Sequence, residues 1–218
     1  MAQDRILIIA PHCLDEVLGC GGTIAKYTDA GASVEIMILF GDGTGHDQQR
    51  RMASKDSAKI LGSKPPHFAG FPENLSDTVP LTNLISKIER EVERIKPNVV
   101  FVSHIGNLHI DHQNAFKATA TALRPVPGIS VREFYSYETP SSTDWAPVSA
   151  SPPFLPNRFI DISETFDHKK KALECYDFEM RPKYHARSFT AVNALATTRG
   201  AAIGVAAAEA FMIIRQTA

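Results

Sequence analysis

Arg5-Ile-Leu-Ile-Ile-Ala10-Pro11-His12-Cys13-Leu14-Asp15-Glu16 joins two unlike halves. Residues 5–10 have the length and the isoleucine-rich composition of a strand buried on both faces. Polar residues of metal-ligand type follow at once. In open α/β sheets, ligand crevices form just beyond the carboxyl ends of strands, so this stretch predicts both a parallel sheet and the edge of it that carries function.

Working outward, Gly19-Cys20-Gly21-Gly22 leads into a helix expected over 23–30 and closed by Gly31. A second buried run, 33–40, ends in the glycine-rich loop 41–46, and a polar-faced helix over 47–61 stops at Gly62. A short strand is expected at 67–71, then a loop to Val79. Apolar residues at 81, 84, 85, 88, 92 and 95 have the helical period. The strand 98–103 opens into a histidine-rich loop, 103–112, followed by a helix from about 113 to 123 and a fifth strand at 132–137. Beyond the Ser/Pro-rich loop 139–156, the pattern predicts an edge strand at 158–162 and a helix over 163–176 N-capped by Ser163. The remainder to Arg215 reads as one or two helices, with the alanine-rich 201–210 as close-packed helix or turn. Strands alternating with helices of about a dozen residues give a three-layer, Rossmann-like α/β fold: a mostly parallel sheet with helices on both faces. No repeat or linker divides residues 1–218, which are expected to form one domain.

Composition narrows the function. Lys plus Arg (23) nearly balances Asp plus Glu (24), so no strong field favours nucleic acid or an anionic membrane, and a small molecule is the expected partner. The cysteines Cys13, Cys20 and Cys175 form neither an even framework nor a CxxC pair, which fits a reducing compartment. The opening apolar run is too short for a signal peptide and no stretch suits a membrane span, so the expected location is cytoplasmic.

His12 and Asp15 stand three apart at a strand-to-helix turn, and His109, Asp111 and His112 stand in a second loop on the same sheet edge. A lone His-x-x-Asp is most often a hydrogen-bonded turn. Two imidazoles and a carboxylate brought together from separate loops are what a catalytic Zn²⁺, or a non-haem Fe²⁺ or other divalent ion, uses. A dinucleotide fold fits poorly, because the glycines lie at 19, 21 and 22, with Ile24 where G-x-G-x-x-G needs its third glycine and eight residues separating the first from Ala10.

PHCLDEVLGCGGTIAKYTDAG (11–31) closely resembles the signature of the LmbE-like, or PIG-L, family of metal-dependent N-deacetylases, whose usual form is A/P-H-P-D-D-E before a glycine-rich turn. The resemblance continues through GDGTG (41–45), GFPENLSDTVPL (70–81), HIDH (109–112), YETPSSTDW (137–145), MRPKYHARS (180–188) and RGAAIGVAAAEAF (199–211). It implies a zinc-dependent hydrolase acting on an N-acetylated amino sugar, a sugar conjugate or a related small amide, and, by analogy, a homo-oligomer, trimer or hexamer. It also implies His12, Asp15 and His112 as metal ligands, His109 as the histidine that polarises or protonates the amide, and Asp111 as the carboxylate that orients an imidazole.

One departure bears on catalysis. The first of the family's paired aspartates takes the proton of the attacking water, and Leu14 stands in its place. Loss of a general base costs about 10²–10⁴-fold, so the resemblance implies an impaired or altered enzyme, or a relative that binds a sugar or amide without normal deacetylation. Asn107 and Leu75 replace an Asp and an Arg common among relatives. Among further candidates, His46, Asn74 and Asp77 are placed to line the site or meet sugar hydroxyls, and Arg181, His185 and Arg187 to bind an anion or to hold the C-terminal segment. Trp145 suits stacking on a sugar, a subunit contact or simple burial. Cys13 fits an extra ligand or nucleophile, or the family's proline position; Glu16 a substitute base or a structural group; His104 the crevice or the surface; and Cys20 packing.

Overall fold

The computed structural model describes residues 4–217. Its elements are β1 (Arg5–Ala10), α1 (Asp15–Asp29), β2 (Ser33–Phe40), α2 (Gly45–Ile60), β3 (His67–Phe71), α3 (Leu81–Ile95), β4 (Val99–Ser103), α4 (Ile110–Ala122), β5 (Glu133–Tyr137), β6 (Arg158–Asp161), α5 (Phe166–Glu174), α6 (Phe189–Ala201) and β7 (Ala208–Gln216). The sheet order is β3-β2-β1-β4-β5-β7-β6. Strands β1 to β5 pair in parallel, and β7 runs antiparallel between β5 and the edge strand β6.

Alternation along the strands divides the core in two. Ile6, Ile8, Ile36, Phe101 and Tyr135 pack with Val17 and Ile24 of α1, Ala172 of α5 and Val192 of α6. Leu7, Ile9, Leu39, Val100 and Val102 pack on the other face with Leu84 and Ile88 of α3 and Ala115 and Ala118 of α4. Covered on both faces, β1 reads as an unbroken apolar run. The parallel pairing of β1 with β2 and β4 also brings the turns after β1 and β4 to one edge.

Four elements differ from the sequence pattern. Helix α1 begins at Asp15 and runs through the glycines rather than starting at Thr23. These glycines serve close packing: a Cβ on Gly19 would lie 2.2 Å from Tyr137 Cδ2, and one on Gly22 would lie 2.6 Å from Ile162 Cδ1. Tyr137 is fully buried, and its hydroxyl donates to the Ile9 carbonyl at 3.0 Å, so the ring has nowhere to move. Gly19→Ala is therefore expected to destabilise the fold by about 1–3 kcal/mol despite alanine's better helix propensity. Urea denaturation should show Gly21→Ala milder, since there the Cβ would meet Lys169 Cγ at 3.0 Å and Val17 Cγ1 at 3.1 Å, contacts a few tenths of an ångström of movement relieves.

The tail, expected as one or two helices with 201–210 as helix or turn, forms α6 and then the strand β7, because pairing with two neighbours overrides alanine's local preference. Helix α5 starts at Phe166 after Thr165, not after Ser163. Ser163 instead donates from its N–H and hydroxyl to Asp161 Oδ1, at 2.9 and 2.6 Å, in a local turn. Helix α4 begins three residues ahead of the pattern, at Ile110, so that HIDH forms its cap and first turn. Among the described residues no helix is long and apolar enough to cross a membrane.

Candidate metal centre

His12 lies in the turn between β1 and α1, its backbone N–H donating to Asp15 Oδ2 at 3.0 Å. Asp15 opens α1, and His112 projects from the first turn of α4. His12 Nδ1 stands 3.4 Å and His112 Nε2 3.1 Å from the same Asp15 oxygen. The other nitrogen of His12, Nε2, meets Asp111 Oδ2 at 2.8 Å. Asp111 also accepts from the backbone N–H groups of Asn74 and Ser76, at 2.8 and 3.2 Å, so its lone pairs are largely engaged.

This geometry suits a metal. Two donors on a tetrahedral ion with bonds of about 2.0–2.1 Å lie roughly 3.3 Å apart, close to the spacing of the two imidazole nitrogens from Asp15. Donor atoms of His12, Asp15 and His112 all fall within 4.8 Å of one another, as do those of His12, His109 and Asp111. The first set is the more open, because Asp111 is occupied and His109 Nδ1 accepts from the Asp111 N–H at 3.1 Å. That bond places the His109 proton on Nε2, which meets Asn74 Oδ1 at 2.9 Å.

Electrostatics agree. Burial opposes a charge on His12, but hydrogen bonds to Asp111 and Asp15 outweigh it and raise the pKa to about 9. Burial likewise opposes charge on Asp15 and Asp111, yet the facing imidazoles hold both carboxyls well below the usual range. His109 is pushed down by burial and by the neighbouring His12 and His112, which favours its neutral form.

These groups floor a cavity of about 240 Å³, walled by Arg50, Glu73, Glu179, Arg187 and residues 139–142. Arg50 forms a bidentate pair with Glu73. Arg50 and Glu179 lie outside the quoted motifs and Glu73, within GFPENLSDTVPL, has no ligand spacing; the Arg50–Glu73 pair joins α2 to the loop after β3, which only the folded chain brings together. His46 reaches Glu179 at 2.6 Å from a largely exposed position and does not itself line this cavity. Asn74 sits against His109, and His185 packs edge-on to Trp145 with ring centroids 5.0 Å apart. Asp77 and Arg181 are exposed and line neither this cavity nor the adjoining one beside Trp145.

Leu14 lines the cavity at φ 89°, ψ −33°, capping α1 without a side-chain hydrogen bond. Cys13 also lines it, but burial pushes its thiol up and it belongs to neither donor set. Glu16 is fully buried behind the cavity; burial pushes it up to about 7, and its Oε1 accepts from the Tyr176 hydroxyl at 2.6 Å. His104 is buried, with Nε2 at 3.1 Å from the Pro152 carbonyl.

A mostly parallel sheet with His/Asp groups gathered from two loops at its carboxyl edge defines an α/β enzyme whose polar centre is assembled across strands. The chain belongs to the PIG-L family, whose model, described as GlcNAc-PI de-N-acetylase, matches residues 7–123, more than half of the sequence. It is 28% identical over 191 residues to the diacetylchitobiose deacetylase of Thermococcus kodakarensis, covering 79% of this chain and 69% of that one. Among solved structures, the conserved protein TT1542 from Thermus thermophilus superposes with a TM-score of 0.80 at 25% identity, covering 99% and 97% of the two chains. GalB, the 4-carboxy-2-hydroxymuconate hydratase of Pseudomonas putida, shares the fold at 18% identity with a TM-score of 0.78, covering 99% and 98%.

Proposed function

We propose that this protein is a zinc-dependent N-deacetylase of an N-acetylated amino sugar or related small amide, its activity held down by Leu14. The observation that carries the reading is the approach of His12 Nδ1 and His112 Nε2 to one oxygen of Asp15, with His12 Nε2 anchored on Asp111. His12, Asp15 and His112 would hold the ion, and their mixed nitrogen and oxygen donors suit Zn²⁺, with Fe²⁺ the nearest rival. When bound, such an ion polarises the amide carbonyl and acidifies the attacking water. Asp111 keeps the His12 proton on Nε2 and so leaves Nδ1 free as a ligand. His109 is neutral with its proton on Nε2; that N–H, given to Asn74 Oδ1 in the ligand-free cavity, would pass to the substrate carbonyl when a substrate displaces the Asn74 contact. No side chain stands at position 14 to take the water's proton.

Leu14 also favours a second reading, a re-purposed relative that binds an amide or sugar without normal hydrolysis, and the hydratase on this fold is a precedent for water chemistry of another kind. Three free cysteines support a cytoplasmic setting, and the family analogy supports a homo-oligomer.

Metal analysis of protein purified without chelators tests the centre. About one zinc per chain is expected, and its loss in His12→Ala; absence of stoichiometric metal, or unchanged content in the variant, would overturn the assignment. Because His12 titrates near 9 in the metal-free chain, an ion entering at pH 7 must displace its proton. Competition with a chelator should show affinity rising about tenfold per pH unit from 7 to 9 and levelling above. The sign for the metal-free fold is opposite: stabilisation from the raised pKa is complete below 6.5 and lost as pH climbs through about 9.

A further inference from the structure

The cavity over His12 shares His109, Ser141, Ser142 and Arg187 with a second, larger cavity of about 430 Å³ beside it. The outer chamber is faced by Leu108, Ile110 and Trp145, all exposed large apolar residues. Arg187 stands at the junction, common to both linings. Whereas Arg50 is paired with Glu73, the Arg187 guanidinium has no ion pair among the described residues, and its Nε is buried without a hydrogen-bond partner.

The junction is held in place. Arg187 donates its backbone N–H to His185 Nδ1 at 3.0 Å and accepts from the Arg181 N–H at 3.2 Å. The same His185 ring packs against Trp145, so one residue fixes both the anion-seeking group and the apolar wall. The Leu108 N–H donates to the Ser142 carbonyl at 2.8 Å, tying the loop after β4 to the loop after β5. An unpaired guanidinium between a polar amide-binding chamber and an apolar shelf selects a ligand with the same order of groups.

We infer that the cleft takes an N-acyl amine whose amide-bearing carbon also carries a carboxylate and, on a short arm, a flat apolar ring, as in an N-acetylated aromatic amino acid. This inference rests on the amide-hydrolase reading and specifies its "related small amide". The acetamide would face His12 and His109, the carboxylate Arg187, and the ring Trp145. Hydrolysis would add one water, break the amide C–N bond and leave acetate and the free amino acid.

Trp145 is the only tryptophan in the chain, so its fluorescence reports occupancy of the shelf. Four probes separate the groups: N-acetyl-L-phenylalanine, its neutral amide, N-acetylglycine and N-acetylglucosamine. Calorimetry should show the first binding at least about tenfold tighter than its amide and than N-acetylglycine, with saturable quenching of Trp145. Arg187→Gln should reduce the acid-to-amide ratio to near one while the amide still binds, and Arg187→Lys should restore part of it. A ratio near one in the native protein, equal loss of both probes in Arg187→Gln, or a silent Trp145 would overturn the inference. Its failure is separable from that of the hydrolase reading. If the acid preference holds but metal-loaded Leu14→Asp releases no amine from any probe, the subsite stands and amide hydrolysis falls. If amine is released from N-acetylglucosamine while the ratio is one, the reverse is true.

Discussion

Leu14→Asp is expected to raise amine release from diacetylchitobiose or a comparable acetamide by about 10²–10⁴-fold in metal-loaded protein, the usual worth of a positioned general base. Leu14 lines the cavity floored by His12, Asp15 and His112, and is 2% exposed. Its backbone, at φ 89° and ψ −33°, lies outside the conformations leucine prefers, at a cost of about 1–3 kcal/mol. Asp and Asn tolerate positive φ better. The chain thus keeps a turn suited to aspartate while carrying a side chain that neither accepts a proton nor caps the helix. A carboxylate there would also meet the first turn of α1, where the helix dipole favours negative charge. Asp15, Glu73 and Glu179 surround the same space, and like charges raise a newcomer's pKa toward the range of a useful base. Leu14→Asn separates the two effects, since it relieves the backbone without supplying a base. It should match Leu14→Asp in thermal stability and leave the rate unchanged. Equal rates for the native chain and Leu14→Asp, both fully metal-loaded, would show that the proton goes elsewhere.

Much of this was legible before folding. The predominantly apolar runs at 5–10, 33–40 and 98–103 specify buried parallel strands, and the turns after the first and third carry the histidines that meet. Periodicity located α3 with the bounds it has, because its apolar face is regular. The failures share a cause. Glycines 19, 21 and 22 read as a turn, yet they lie within α1, and at 19 and 22 they are glycine because Tyr137 and Ile162 occupy the space a side chain would need. The strand β7 was hidden in alanines whose conformation is set by β5 and β6. Within the site, adjacent ligand types in short motifs were visible, whereas Arg50, Glu73 and Glu179 meet only across elements distant in sequence. For Arg187 the late motif left anion binding and a structural hold open; its buried Nε without a hydrogen-bond partner, visible only in the fold, favours the first.

Lys169→Met is expected to cost about 3–5 kcal/mol of stability, as breaking one half of a buried ion pair does. Lys169 on α5 and Glu209 on β7 are each 4% exposed, with Nζ and Oε1 2.6 Å apart. Nζ also donates to the Leu18 carbonyl at 2.8 Å. Glu209 accepts from the N–H groups of Gly22 and Thr23, at 3.0 and 2.8 Å. Gly22 N–H and Leu18 C=O are the helical partners four residues apart, so the ion pair grips α1 across the turn where its glycines make it weakest. Without the ammonium, a buried carboxylate would be left with only two backbone donors. Lys169→Met combined with Glu209→Gln removes that charge and should recover at least about 1 kcal/mol relative to adding the single losses, a coupling that urea denaturation of the four proteins would measure. A single-variant loss under about 1 kcal/mol would mean that packing, not the pair, secures the helix. Asp15 is the first residue of this helix and His12 lies three residues before it. The same variant should therefore lose metal affinity along with stability, because the ligand turn is held only as firmly as the helix that follows it.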